Sequence, residues 1–343
     1  MRRPGSATFT AVPAISTLLA DPALRHALAS GLDAPPSADT ERLARYLAGA
    51  FGSATLALIH YGSHAQRSDA RPESAHDFFV IVDRYATAYR SLTAAIHPSY
   101  HPRTATLLAH ILPPNVVAIS TPDAPTLHAK CAVLSLADLR RAGSDQAQDH
   151  FTQGRLFQQI QLVWVRDEES RRAVTDVLLE VRARTFTWAH PTLPEHFTTD
   201  SYCHTLLETS FAAEIRPEGD ARLRVLLDAQ RDTLIPIYEA VLQQLVSQRI
   251  LASTGKVYSL VRPATRAERA RTARYFRRSK VRATLRWLKY VALYEGWLDY
   301  IVRKIERRSG VKIALTPRER RWPLLFLWPK IFHYLRTRPQ RRS

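Results

Sequence analysis

The sequence predicts an α/β (α+β) fold with a central mixed sheet, followed by a small helical domain and a basic helical C-terminal region. Three observations carry this. Short apolar runs with strand character alternate with helical patterns as far as about residue 185. Beyond that point the patterns are helical only. The basic excess of the chain gathers in its last quarter.

Residues 15–30 and 40–51 carry helical apolar spacing behind capping residues, with a Pro/Ser/Asp-rich loop over 33–39 between them. Strand-like runs follow at 55–60, 78–82, 116–119, 131–134 and 160–165. Helical patterns at 85–96, 135–142 and 168–184 separate some of them. Residues 199–215 and 220–252 read as helices around the break Arg216-Pro217-Glu218-Gly219. Residues 265–308 read as one or two basic amphipathic helices with Leu285, Leu288, Val291, Leu298, Ile301 and Ile305 apolar, and Gly310 fits a C-terminal cap. The expected domains are 1–185, 186–262 and 263–343.

A chain of 343 residues implies two or three domains, and 45% hydrophobic with 23% charged residues excludes a wholly disordered protein. Two cysteines, Cys131 and Cys203, without a CxxC, exclude a disulfide scaffold and a structural zinc module; they read as small core residues. The net charge is +18. From residue 261 onward there are 24 basic and 5 acidic residues, a net of +19, which leaves the body at −1. A near-neutral body with so cationic an end calls for a polyanionic partner, nucleic acid or an anionic membrane. No apolar run approaches the roughly 20 residues that span a bilayer. The opening Met1-Arg2-Arg3, with no acid before Asp21, is a weak transit-peptide pattern interrupted by Pro4 and Pro13, and reads as a frayed terminus.

The chemistry concentrates in residues 56–83, LALIHYGSHAQRSDARPESAHDFFVIVD. An apolar strand runs into Gly62-Ser63, and Asp77 opens a second apolar strand. This is the layout of a nucleotidyltransferase site. Glycine lets the backbone approach a triphosphate, and serine with backbone N–H groups can cradle phosphate oxygens. A carboxylate on the next strand can hold Mg²⁺, which bridges phosphates. Many such sites use Asp-x-Asp, but the second position here is Phe79. Asp83 is six residues on, about 20 Å along a strand, too far to share one ion, and reads as a strand-end cap.

These residues resemble the mitochondrial-type phosphatidate cytidylyltransferases, the translocator assembly and maintenance proteins. Tyr61-Gly62-Ser63 matches the family's Tyr-Gly-Ser, and Asp77-Phe78 through Val82-Asp83 its Asp-Phe-x-x-x-Val-Asp. His97-Pro98-Ser99-Tyr100, His128-Ala129-Lys130-Cys131-Ala132-Val133 and Gly154-Arg155-Leu156 resemble its later segments in order. So do Leu193-Pro194-Glu195-His196-Phe197, and Ser210-Phe211 with Glu214 and Arg216. The resemblance covers roughly 55 to 240. It implies a nucleotidyltransferase fold over 1–185, a winged-helix-like domain over 186–262, CTP and phosphatidate as substrates, Mg²⁺ as cofactor and peripheral membrane attachment. The membrane face would be the cytoplasmic side of an inner membrane, or the matrix side in a mitochondrion. There are departures. His64 replaces the family's glycine, Tyr89-Arg90 its Trp-His, and Gln158-Gln159 and Gln161 stand where it has basic residues.

On this reading Asp77 is the catalytic carboxylate and the Mg²⁺ ligand, and Gly62 and Ser63 bind the triphosphate. Lys130, just before an apolar strand, holds the β/γ-phosphates as a point charge, and Arg155 binds phosphate bidentately. His97 and His101 read as structural, because a phosphate nucleophile is already anionic and needs positioning more than a base. Residues 322–335, WPLLFLWPKIFHYL, are too short to span a bilayer but suit its headgroup boundary. The basic helices before them would be drawn to anionic phospholipid, so residues 265–343 read as a membrane-binding region. The alternatives are a nucleotidyltransferase acting on tRNA or another nucleic acid, or a degenerate fold used only for binding. No RNA-binding signature is present, so nucleic acid is not the expected partner.

Overall fold

The computed structural model describes residues 14–66, 74–96, 101–213, 219–293, 302 and 315–321. The chain divides into two units, Met1–Arg286 and Trp287–Ser343, and the architecture below is that of the first. The expected boundaries at 185 and 262 both fall inside it. Residues 322–335, Glu214, Arg216 and His97 lie outside the described residues.

The protein is mixed α/β around one five-stranded mixed sheet. Its strands are β1 (Thr55–Tyr61), β2 (His76–Val82), β3 (Asn115–Thr121), β4 (Ala124–Ser135) and β5 (Gln161–Val165), in the order β3-β4-β2-β1-β5. β2 and β4 run parallel, and the other neighbours are antiparallel. β1 is buried along its length and β2 everywhere except Asp77, so both are central strands covered on two faces. This explains their unbroken apolar runs.

The sequence pattern over 15–30 resolves into α1 (Ile15–Leu18) and α2 (Pro22–Leu28). The break is chemical: Asp21 accepts from the Ala23 amide at 2.8 Å and Pro22 sits at the first helical position. α3 (Ala38–Phe51) starts on a Ser37 cap. α4 (Ser63–Gln66) follows β1, and α5 (Tyr85–Ala95) follows β2. α6 (Pro102–Ile111), α7 (Leu136–Gly143), α8 (Gln153–Leu156), α9 (Glu168–Ala183) and α10 (Thr185–Ala189) complete this part. α3 and α9 both pack against β1 and β5. α6 has no counterpart in the sequence reading.

α11 (Thr199–Ala212) and α12 (Asp220–Ser247) form the helical segment. Here the helix expected to reach 252 stops five residues early. Leu251–Thr254 is strand β7, paired with β8 (Val257–Leu260), which pairs in turn with β6 (His196–Phe197). Gly255, with φ of +62°, makes the hairpin turn, and buried Leu251 and Tyr258 anchor it. Phe79 and Ile81 of the sheet share one hydrophobic core with Leu206, Ile237, Leu242 and Tyr258. α13 (Arg266–Leu293) follows. Among the described residues no helix is long and apolar enough to cross a membrane.

Arg182 on α9 is fully buried without an acidic partner among the described residues. Burial lowers its pKa to about 10, so it stays charged at neutral pH. Its guanidinium donates to the carbonyls of Leu28, of Ser30 at 2.9 Å and of Gln158 at 3.2 Å. These are orphan acceptors at the end of α2 and beyond α8, and the arginine answers them together. Arg182→Met leaves them unpaired and is expected to cost more than ~3 kcal/mol in urea unfolding. A loss below ~1 kcal/mol would show the carbonyls find other partners.

Candidate active site

The site begins where β1 ends. Gly62 has φ of +81°, a conformation that costs little only for glycine. A Cβ there would stand 2.7 Å from Oδ2 of Asp77. Glycine is therefore required twice, by the turn and by the carboxylate pressed against it. Ser63 opens α4, and the Gln66 amide closes that turn on the Gly62 carbonyl at 2.9 Å.

Register delivers the next residues. Asp77 lies opposite Tyr61 on β1 and in parallel register with Lys130 on β4. In-register neighbours on a sheet share a face, so the lysine stands beside the carboxylate. Lys130 is inside β4, not before a strand as its sequence suggests. The polar stretch 124–130 pairs with β3, and no apolar run marks it. Arg155 on α8 donates to the Phe151 carbonyl at 2.8 Å, and its guanidinium carbon lies 3.9 Å from the centre of the Phe151 ring. Burial pushes the Asp77 carboxyl above its ordinary pKa; the charge of Lys130, then those of Arg155 and His64, pull it back. Gly62, Ser63, Asp77, Lys130 and Arg155 thus gather at one end of the central strands.

Neutral glutamines flank the turn after Gly62-Ser63. Buried Gln158 accepts from Gln66 of α4 at 2.9 Å and donates to the Gly154 carbonyl at 2.6 Å. Gln159 donates to the Ala65 carbonyl at 2.9 Å, and its amide donates to Gln230 of α12 at 3.0 Å. Gln161 bonds His60 at 3.0 Å. Gln158 and Gln159 tie the turn after Gly62-Ser63 to α8 and α12 and are uncharged. His64 stacks on His76 with ring centres 3.9 Å apart, and its Nε2 meets the Ser74 hydroxyl at 2.7 Å.

Among the described residues, no group of three or more His, Cys, Asp or Glu side chains is placed to hold a metal ion. A Mg²⁺ ion carried by substrate phosphates needs only one or two protein carboxylates. Asp77 fits that role: it is desolvated, half-exposed at the strand end and backed by a glycine. Asp83 lies exposed just past β2, where it accepts from the Arg84 amide at 2.5 Å, a strand-end role as expected. His101 is the N-cap residue of α6, with no side-chain cap bond. Cys131 and Cys203 are buried core residues.

Neither a protein-family model nor a curated protein sequence matches the chain.

Sequence reasoning missed Phe151, Asp149, His150 and Arg286. One signal was legible: Phe151 and Arg155 are four apart, the spacing that stacks an arginine on an aromatic ring. The contacts of Arg286 link residues far apart in the chain and left no trace in spacing.

Two outcomes follow from this geometry. Gly62→Ala is expected to cost ~2 kcal/mol, from the left-handed backbone and from the displaced carboxylate. In an Asp77→Ala background the second contribution vanishes, and a double-mutant cycle by urea unfolding should return a coupling of about 1 kcal/mol. Additive costs would mean that Asp77 does not press on Gly62. The second outcome concerns pH. Burial lowers His60 to about 4 and His150 to about 3 from 6.5. Both are neutral in the fold, whereas the unfolded chain takes up protons below 6.5. Stability should therefore fall as pH drops from about 6.5 towards 4, by ~2 kcal/mol per histidine at pH 5. His150→Gln should remove its share of the difference in unfolding free energy between pH 7.5 and pH 5.

Proposed function

We propose that the chain has a nucleotidyltransferase fold and is a CTP:phosphatidate cytidylyltransferase, making CDP-diacylglycerol and pyrophosphate with Mg²⁺. One observation carries the reading: the carboxylate opening β2 is seated against a left-handed glycine at the end of β1, with a lysine in register beside it. A phosphate-handling site needs this combination of open backbone, metal-holding oxygen and fixed positive charge. The family resemblance of the motifs supports the choice of nucleotide and acceptor.

A phosphate oxygen of phosphatidate attacks the α-phosphorus of CTP, the bond from that phosphorus to the bridging oxygen breaks, and pyrophosphate leaves with the electron pair. The nucleophile is already anionic, so no base is required. Mg²⁺ held by Asp77 would neutralise charge on the phosphates. Gly62 keeps the backbone open to the triphosphate, and Ser63 offers a hydroxyl to it. Lys130 and Arg155 balance the charge that moves onto the leaving pyrophosphate.

The surface supports a membrane-bound acceptor. The docked face of α13 carries Tyr275, Phe276, Ser279 and Arg286, while Arg274, Arg277, Arg278, Val281 and Leu285 are exposed. Val281 and Leu285 are 56% and 47% exposed. On α6, Leu107 and Ile111 are 60% and 63% exposed. Arg286 donates to the Pro113 carbonyl at 3.0 Å, which joins α13 to the end of α6. Apolar pairs beside arginines suit an anionic lipid surface better than a nucleic-acid groove.

The test is transfer from labelled CTP, with Mg²⁺, to phosphatidate vesicles. Wild type is expected to make CDP-diacylglycerol and to float with the vesicles, and Asp77→Ala to float but lose at least a thousandfold in turnover. Folded wild type that makes no CDP-diacylglycerol but labels tRNA would replace this reading with the nucleic-acid one.

A further inference from the structure

The helix α13 is held on the body mostly by polar contacts. Arg278 donates to the Ala147 carbonyl at 3.0 Å, and Ser279 accepts from the His150 amide at 3.0 Å. Arg282 and Arg286 donate to Asp149 Oδ2 at 2.7 and 2.5 Å, and Arg286 adds the Pro113 carbonyl at 3.0 Å. The apolar part of the seat is small: Tyr275 and Phe276 lie against the His150 ring, and Phe276 against Trp188. Trp188 Nε1 and Arg286 Nη1 are buried there without a hydrogen-bond partner among the described residues. Unpaired buried donors weigh against the docked position. The helix is also strongly cationic, with eight Arg and two Lys against one Glu over 266–293.

His150 is the buried ring at the middle of this seat. Its Nε2 meets the Ser210 hydroxyl of α11 at 2.9 Å, and its Nδ1 meets the Tyr275 hydroxyl at 3.4 Å. Trp188, Phe276 and Tyr275 stand edge-on around it, with ring centres 4.7, 5.1 and 6.0 Å away. Such a box suits a neutral imidazole and not an imidazolium. Burial opposes the charged form most, Asp149 favours it, and Arg155 of α8 opposes it. Asp149 is itself engaged by Arg282 and Arg286. The other groups facing the ring are Ser210 of α11, Trp188 of α10, and Tyr275 and the cation Arg278 of α13. When α13 leaves, Tyr275 and Phe276 go with it and the ring meets water. The docked state excludes a proton that the released state accepts. Docking is therefore at full strength above the ordinary histidine value of about 6.5 and weakens as pH falls below it.

We propose that α13 is an acid-released latch: protonation of His150 frees the helix from its seat on Ala147–Phe151, and the freed face, with Tyr275 and Phe276 among its arginines, binds an anionic lipid surface. Aromatic side chains amid cations suit the headgroup boundary of such a surface. The surface also supplies the trigger, because its potential of about −30 mV concentrates protons about threefold. The lipid half of this inference rests on the membrane reading above, and the proton linkage does not.

The experiment is hydrogen exchange of the full chain at pH 7.5 and pH 5, corrected for the intrinsic chemical rate. The amide of residue 150 donates to Ser279 Oγ of α13, so its protection reports the seat wherever the helix has gone. Wild type is expected to lose about thirtyfold in protection at this amide between the two pH values. At both it should stay well below the protection of the β2 amides, which open only with the whole domain. His150→Gln keeps the amide and should change less than about threefold. Protection equal to that of β2, a wild-type loss under about threefold, or an undiminished loss in His150→Gln would each overturn the latch. Should His150→Gln not fold, the first two outcomes decide on wild type alone. The partner is tested by flotation with vesicles of phosphatidylcholine and phosphatidylglycerol. Wild type should float more at pH 5 than at pH 7.5, and His150→Gln should lose that gain. Flotation independent of pH overturns the lipid assignment. Phosphatidylglycerol is not the acceptor proposed for the transfer, so a protein that makes no CDP-diacylglycerol can still pass both arms, and an active one can fail them.

Discussion

One buried cation holds the parts of this protein that matter for its site. Arg182 lies in the core and is answered only by carbonyls among the described residues, those of Leu28, Ser30 and Gln158. A guanidinium with several donors in a fixed fork can satisfy such a set at once. It fixes the end of α2, the turn after it and the segment beyond α8. Gln158 then passes this constraint on, because its side chain bonds Gln66 of α4 and the Gly154 carbonyl of α8. The turn that carries Ser63 and the helix that carries Arg155 are thereby set by one residue outside the site.

Within the site the governing fact is desolvation. Asp77 sits against a glycine at the end of central strands, and burial raises its pKa in spite of Lys130 and Arg155. A carboxylate so placed gains from a cation that water would otherwise hydrate. The surrounding residues keep this demand specific. Gln158, Gln159 and Gln161 spend their hydrogen bonds on the backbone, His60, Gln66 and Gln230, so positive charge reaches the carboxylate from Lys130, Arg155 and His64 rather than from a diffuse basic lining.

The strands and the Gly62–Asp77 core of the site were legible in the sequence because both are local. Apolar runs mark central strands, and a glycine before a serine marks a turn. The register that sets Lys130 beside Asp77 was not legible, since Ala124–Lys130 is polar and becomes strand only by pairing with β3. The same holds for β7, whose first residues fall in the helical pattern expected to reach 252, before Gly255 turns the chain back into β8. The break at Pro22 was readable from Asp21-Pro22, yet the apolar spacing on either side outweighed it. Phe79 showed the limit most clearly. As a letter it only breaks the Asp-x-Asp pattern, and the structure shows its ring edge-on to Phe151.

The uneven charge of the chain takes on a different meaning in this light. A −1 body with a +19 end suggests a folded domain trailing a sticky tail. The helix α13 contradicts that division over its first three-quarters. Ser279 accepts from the His150 amide at 3.0 Å, Arg278 donates to the Ala147 carbonyl at 3.0 Å, and Arg282 and Arg286 close on Asp149. Residues Ala147–Phe151 are thus bound from outside by the same helix whose opposite face shows arginines and apolar side chains to solvent. The face with exposed arginines and apolar side chains and the face whose Arg286 lies over Phe151 are two sides of one helix. Whatever presses on the outer face also bears on the seat of Arg286, and through Phe151 on Arg155. The two faces of α13 are for that reason mechanically linked through Asp149 and Phe151.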